Sequence, residues 1–161
     1  MTARVGFGYD VHRVKAGRPL VLGGVKLKSD WGLDGHSDAD VLAHAVGDAL
    51  LGAAGLGDLG EHFPPGDPKW KNSSSLDLLT RIAAMLTERG ARVVNVDAML
   101  VAEAPKIAPH RAAMCANIAG ALGIAADAVS VKATTNETLG AIGRREGLAA
   151  MAVVLVERAG T

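Results

Sequence analysis

Aromatic side chains are nearly absent from this sequence: two tryptophans, two phenylalanines and one tyrosine among 161 residues, although 49% of the residues are hydrophobic. The core must therefore be assembled from Ala, Val, Leu and Ile, small side chains that each remove little apolar area from water. A chain of this length has room for one domain, and residues 1–161 are read as a single one. The shortage of large side chains predicts that burial between subunits of a compact oligomer completes the fold.

Charge and cysteine usage narrow the functional classes. Lys+Arg and Asp+Glu each number 17, for a formal net charge of 0. The broad positive field that drives non-specific nucleic-acid binding is absent, so no nucleic-acid partner is expected. The hydrophobic content excludes a disordered chain. The single cysteine, Cys115, excludes an internal disulfide and a Cys-only zinc site, and it suits a reducing compartment. The first residues, Met1-Thr2-Ala3-Arg4-Val5-Gly6-Phe7, run into a strand-like pattern without a basic leader. No stretch reaches the ~18 uninterrupted apolar residues of a membrane span. A soluble, cytoplasmic protein with no membrane partner is expected.

Turn residues and apolar periodicity give alternating strands and helices. Val5–Val11 reads as a strand, and Pro19–Leu27 as a strand or hairpin broken at Gly23-Gly24. Ser37 and Asp40 resemble a relaxed capping box ahead of a helix carrying Val41, Leu42, Ala45, Ala49 and Leu50 on one face, ended by Gly52 and Gly55. Residues 55–74 have no apolar period and exceed the ordinary loop length, which marks a functional or a disordered segment. Ser75 caps a second helix ending at Gly90, Val93–Ala102 alternates as a strand, and Pro105–Leu122 reads as a third helix stopped by Gly123. Val129–Ala133 and Leu148–Val156 read as strands around a turn or short helix at Asn136–Leu139. The order predicts an α/β (α+β) fold: a single-layer mixed sheet of about four strands with helices on one face.

Three constellations could carry chemistry. Asp10 and His12 are two apart in a strand and share a face; they suit a divalent metal, or simply a polar strand end. Asp34-Gly35-His36-Ser37-Asp38-Ala39-Asp40 precedes His44, which lies one turn beyond Asp40. Capping and the helix dipole account for the serine and the acids but leave His36 and His44 unexplained. Asp10, His12 and His44 together make an O,N,N set, a common zinc combination with the fourth tetrahedral position open. Asp40 could orient His44 from behind, or serve only as a cap. The third is Val131-Lys132-Ala133-Thr134-Thr135-Asn136-Glu137, followed by Arg144, Arg145 and Glu146. Hydroxyls and backbone N–H groups where a strand meets a helix start can cradle phosphate. Glu137 could cap that helix or hold a hard cation such as Mg²⁺. No Walker motif or G-x-G-x-x-G fingerprint is present.

These motifs resemble one family over nearly the whole chain, the 2-C-methyl-D-erythritol 2,4-cyclodiphosphate synthases of non-mevalonate isoprenoid biosynthesis. The matching segments are Gly8-Tyr9-Asp10-Val11-His12-Arg13, Gly17–Val25, Gly35–His44, Asp48–Ala53, Gly57–Gly60, His62-Phe63-Pro64, Lys132–Glu137 and Arg144–Gly147. The resemblance implies a homotrimer with active sites between adjacent subunits, and zinc held by Asp10, His12 and His44. It places His36 and Thr135 at transition-state-stabilising positions, with Asp10, His12, His36 and Ser37 touching substrate. Asp58, Leu59 and Gly60 correspond to the erythritol-binding segment, with Phe63, Pro64, Pro65, Gly66 and Asp67 nearby. Ala102, Glu103, Ala104, Pro105, Lys106, Ile107 and Ala108 match a cytosine pocket. Thr134, Thr135, Asn136 and Glu137 match the diphosphate-binding stretch, with Glu137 a ligand of a second divalent ion, Mg²⁺ or Mn²⁺.

The implied reaction converts 4-CDP-2-C-methyl-D-erythritol 2-phosphate to the 2,4-cyclodiphosphate with release of CMP, a phosphorus–oxygen lyase step. The 2-phosphate is already anionic, so the protein's task is to hold two phosphates in line and offset their repulsion. Arg144 lies in the family near phosphates, beside a threefold-axis cavity that can hold an isoprenoid diphosphate. Ala141 stands where a Phe is common and Arg145 where a small residue is usual, which argues against that axial ligand. Two rivals make different predictions: a zinc hydrolase gives linear products, and a trimeric binding module with structural zinc needs a fourth protein ligand, for which His62 is the candidate.

Overall fold

The computed structural model of the chain describes residues 1–159. Its centre is a five-stranded sheet in the order β4-β1-β7-β5-β6, formed by β1 (Thr2–Ala16), β4 (Trp31–Leu33), β5 (Ala91–Val101), β6 (Val129–Thr134) and β7 (Gly147–Arg158). All neighbours are antiparallel except β5 and β6, so the sheet is mixed, as expected. It has one strand more than the sequence predicts, because the three-residue β4 is too short to leave an alternating pattern. A separate hairpin pairs β2 (Leu20–Leu22) with β3 (Val25–Leu27). Its two-residue turn, Gly23-Gly24, has φ of 55° and 71° at the two glycines, the left-handed pair such a turn requires.

Helices α1 (Val41–Ala54), α3 (Ser75–Glu88) and α4 (Arg111–Leu122) pack on one side of the sheet. The core lies between, and its largest fully buried side chains are leucines, Ile82, Ile118 and Met114. Helix α1 is nearly apolar all round, in keeping with its buried position. It rides unusually close to β1. A Cβ on Gly6 would lie 1.8 Å from the Ala49 carbonyl oxygen, and one on Gly8 would lie 1.9 Å from that of Ala45. Only glycine allows this contact, and it brings α1 directly over the inward row Gly6, Gly8, Asp10, His12 of β1.

Helix α4 begins six residues later than expected. Residues 102–107 run outside any helix and a single 3₁₀ turn, Ala108–His110, precedes α4. Pro109 lacks the N–H that a helix through Pro105 would need. The long segment 55–74 is partly ordered by its own short helices, α2 (Leu59–His62) and a 3₁₀ turn at Pro68–Trp70. Ser74, not Ser75, is the N-cap of α3, and it makes no side-chain cap bond. A last short helix, α5 (Gly140–Gly143), follows the turn after β6. Among the described residues no helix is long and apolar enough to cross a membrane.

Candidate active site

The inward row of β1 ends in Asp10 and His12, and the close approach of α1 sets His44 against them. Among the described residues these three form the one cluster able to hold a metal ion. His12 Nε2 lies 2.8 Å from Asp10 Oδ2, His44 Nδ1 lies 3.0 Å from the same oxygen, and the two nitrogens are 3.1 Å apart. Ligands at ~2.0–2.1 Å around a tetrahedral zinc stand about 3.3 Å from one another, so the donors are nearly at ligand spacing. Their protonation also fits. The Asp34 carbonyl, 2.5 Å from His12 Nδ1, can only accept, so Nδ1 carries a proton and Nε2 is the nitrogen left to offer a lone pair when a metal is bound. Burial works against the Asp10 carboxylate, but hydrogen bonds and charge from His12 and His44 outweigh it and hold its pKa at about 2. Burial likewise opposes the charged form of His12, while the Asp10 carboxylate more than offsets this and raises its pKa.

The cluster opens into a cleft of about 290 Å³ lined also by His36, Ser37, Asp48, Leu59, Gly60, Phe63, Pro65, Trp70 and Leu78. Phe63 and Trp70 form one wall, edge to face at 5.0 Å between ring centres. His36 Nε2 donates to the Asp67 carbonyl at 3.1 Å, which fixes the ring beside the cleft. Asp58 caps α2, accepting from Glu61 N–H at 3.0 Å. Arg18 ties down the loop before α1 through the carbonyls of Gly35 (2.7 Å) and Ser37 (2.9 Å).

Two sequence-based alternatives resolve here. The fully buried Asp40 carboxylate accepts from the N–H groups of Gly23 (2.9 Å), Gly24 (2.7 Å) and Ala43 (3.1 Å). It caps α1 and pins the glycine turn, and its carboxylate bonds do not reach the His44 ring. Burial pushes its pKa up, against these bonds. His62 Nε2 donates to the Leu56 carbonyl at 2.7 Å, and the ring stands outside the metal cluster.

The other predicted residues lie elsewhere on the chain. A second cleft, of about 330 Å³, is lined by Ala102, Glu103, Pro105, Lys106, Ile107, Ala108, Arg111, Ala133, Thr134 and Thr135. It shares no lining residue with the first. Ala104 lines a third, smaller cleft with Arg145. Asn136 and Glu137 stand exposed on the turn beyond, where Glu103 Oε1 accepts from the N–H groups of Asn136 (2.8 Å) and Thr138 (3.3 Å). Thr135 Oγ1 donates to Glu137 Oε1 at 3.4 Å. Arg144 is exposed and paired to Glu146 at 2.7 Å. Pro64, Gly66 and Asp67 border the first cleft in sequence without lining it.

Residues 3–157 match the YgbB family. The chain belongs to the YgbB family. It is 60% identical over 152 residues to the 2-C-methyl-D-erythritol 2,4-cyclodiphosphate synthase of Symbiobacterium thermophilum, covering 94% of this chain and 97% of that one. It is 62% identical over 153 residues to the enzyme of that name from Desulfosudis oleivorans, covering 95% and 91%. Among solved structures it resembles the bifunctional IspDF of Campylobacter jejuni, with a TM-score of 0.94 and 44% identity over 98% of this chain and 43% of that longer one. It also resembles IspF of Plasmodium falciparum in complex with CDP, with a TM-score of 0.85 and 32% identity over 98% and 97%.

Beside this YgbB-family match, three residues lining the first cleft, Asp48, Trp70 and Leu78, are not among the site residues expected from sequence, and neither is Ser75 behind His44. Asp48 is four residues beyond His44 on α1, so extending the Asp40/His44 spacing by one turn would have found it. Its Oδ1 accepts from Leu59 N–H at 2.8 Å. Burial raises its pKa, helped by the charges of Asp10 and Asp58. Ser75, which reaches His44, is 31 residues away and gave no local signal.

Proposed function

We propose that this chain converts 4-CDP-2-C-methyl-D-erythritol 2-phosphate to 2-C-methyl-D-erythritol 2,4-cyclodiphosphate and CMP, as a single-domain phosphorus–oxygen lyase of isoprenoid precursor synthesis. The observation that carries the reading is the Asp10–His12–His44 donor triangle at the floor of a cleft, in a chain 60% identical to a synthase of that name. An oxygen of the 2-phosphate attacks the β-phosphorus, the bond from that phosphorus to the bridging oxygen breaks, and CMP leaves with the electron pair. No water is consumed, and the nucleophile needs no base. A zinc ion on Asp10, His12 and His44, with Mg²⁺ or Mn²⁺ on Glu137, supplies positive charge to the phosphates when bound. Glu137 suits a hard cation, which keeps several waters and takes one or two carboxylates besides phosphate oxygens.

The protein's own groups then position and shield. His36, its ring fixed by the Asp67 carbonyl, and Thr135 stabilise the charge developing on the phosphates. Ser37 contacts the phosphate end of the substrate. Asp58 and the backbone of Leu59 and Gly60 take the erythritol hydroxyls, with Phe63–Asp67 along one side. The segment Ala102–Ala108 receives cytosine, and the exposed amides and hydroxyls of Thr134–Glu137 receive the diphosphate, with Arg144 adding positive charge nearby.

Such a site is completed between copies of a homotrimer. Two features support this. The metal cleft and the 102–108/133–135 cleft of one chain share no lining residue. Moreover, the outer face of the sheet exposes Val5, Phe7, Tyr9, Val11, Met151 and Val153, paired across β1 and β7. A chain so poor in aromatics that leaves two of them on a flat apolar face has a surface meant to be covered. Cytoplasmic placement accords with the unpaired Cys115. An axial isoprenoid diphosphate is left out of this reading, because Ala141 offers no ring to line such a cavity.

The test is a ³¹P NMR time course with the 2-phosphate substrate, Zn²⁺ and Mg²⁺, against a chelated control. CMP appearing with a cyclic diphosphate, and ceasing on chelation, is the expected result. Linear phosphate products would instead support a hydrolase.

A further inference from the structure

The second ring nitrogen of His44 faces a hydroxyl pair. Nε2 lies 2.9 Å from Ser75 Oγ and 3.1 Å from Ser37 Oγ. Ser75 is the first residue of α3 and is 1% exposed. Both of its donors are committed to Asp38: the backbone N–H reaches Oδ2 at 2.9 Å, and the hydroxyl donates to Oδ1. Asp38 Oδ1 also accepts from Asp40 N–H at 3.1 Å.

Proton bookkeeping then decides the state of the imidazole. A serine hydroxyl has one proton, and a carboxylate accepts only. With that proton directed at Asp38, Ser75 Oγ can meet His44 only as an acceptor. Nε2 must therefore carry a proton, which leaves Nδ1 as the nitrogen that offers its lone pair when a cation sits between Asp10, His12 and His44. If Ser75 donated to Nε2, the proton would sit on Nδ1 and face the cation. Ser37 Oγ is farther away and already accepts from Ala39 N–H at 3.2 Å; no carboxylate directs its proton, so it permits either state.

We propose that Asp38 and Ser75 form a positioning pair that fixes the tautomer and orientation of His44 for a divalent cation, linking the start of α3 to the metal centre. The proposal rests on reading Asp10, His12 and His44 as metal ligands. It gives His44 a side-chain counterpart to the backbone carbonyl that holds His12, since ligating histidines are commonly held through their other nitrogen.

The test is chelator competition for Zn²⁺ on the full chain, with long-range ¹H–¹⁵N NMR of the imidazoles. In the zinc-loaded protein, His44 is expected to carry its proton on Nε2 and bind through Nδ1. Ser75→Ala should lower zinc affinity about 10- to 100-fold, the usual range for losing such a partner. Ser75→Thr should restore it. Ser74→Ala, next door and without a side-chain cap bond, should leave it unchanged. Equal zinc affinity for Ser75→Ala and the native chain would overturn the proposal, as would a zinc-loaded native chain with the His44 proton on Nδ1. That NMR result needs no variant to fold. A native chain that takes up no Zn²⁺ would instead overturn the metal reading itself, and the positioning role with it.

Discussion

The metal cleft and the turn after β6 serve one reaction in the proposed function, yet they are built in opposite ways. Around Asp10, His12 and His44, nearly every group has a second partner from the same chain, and α1 is pressed against β1 through Gly6 and Gly8. From Lys132 to Ala141 every residue is exposed. Glu137 and Thr138 hold φ of 50° and 61° there, with the backbone shaped chiefly by Glu103 and local bonds. The first region is organised by its own fold. The second has its backbone set by the chain and its surface left for something else to close over. A shared site between copies needs such a division, with a rigid floor from one subunit and a presented loop from its neighbour.

The largest effect should come from separating β1 from α1. Gly8→Val would place a Cβ against the Ala45 carbonyl, a backbone atom that cannot swing aside. Overpacking of this kind costs about 3 kcal/mol or more. Urea unfolding should show the loss, and zinc uptake should fall with it. A variant of native stability that still binds zinc would show that the close approach does not assemble the metal floor.

Phe7→Asp tests the same strand from its other face. Sedimentation should shift from the proposed trimer toward monomer and activity should be lost, while zinc affinity per chain stays within a few-fold of native. Loss of zinc along with the trimer would break the contrast, because the metal floor would then need the neighbour as well.

How far the sequence could have led differs between the regions for physical reasons. Asp10 and His12 are two apart on a strand and His44 sits at a helix start, so local periodicity pointed to each. That they meet depends on Gly6 and Gly8, whose missing side chains leave no hydrophobic signal. The main strands and the helices packed on one sheet were legible from alternation, caps and element order, while the direction of each strand pairing is tertiary. Strand β4 was not legible, because three residues carry no period, and neither was the start of α4, because Pro105 and Pro109 both suit a first helical turn. Asp40 looked equally suited to cap a helix or orient a histidine, and only the positions of Gly23 and Gly24 decide for the cap. Ser75 could not have been found, because its link to His44 is purely tertiary.

A smaller effect, confined to chemistry, is expected of His36→Ala. The ring stands beside the metal cluster but is held by the Asp67 carbonyl, so zinc should stay bound while kcat falls about 100-fold, the scale of losing one transition-state donor. Zinc loss in parallel with rate loss would put His36 in the coordination shell and enlarge the rigid floor by one residue.

The smallest effect tests the presented loop. Glu103 Oε1 is the acceptor shared by Asn136 and Thr138 N–H. It is therefore the side-chain tie between the 102–108 segment and the turn that carries Thr135 and Glu137, beside the backbone bond from Ala102 N–H to the Thr134 carbonyl at 3.0 Å. Glu103→Ala frees both amides at an exposed position, where water can replace the lost partner, so stability should change by no more than about 1 kcal/mol. What changes is how often the turn holds the shape that receives a diphosphate. KM should rise several-fold with a lesser change in kcat, and zinc affinity should not move. Glu103→Gln, which keeps an acceptor oxygen, should recover most of the loss. If Gln recovered nothing, the carboxylate charge rather than the tie would be the working feature, and the loop would owe its shape to the neighbouring subunit alone.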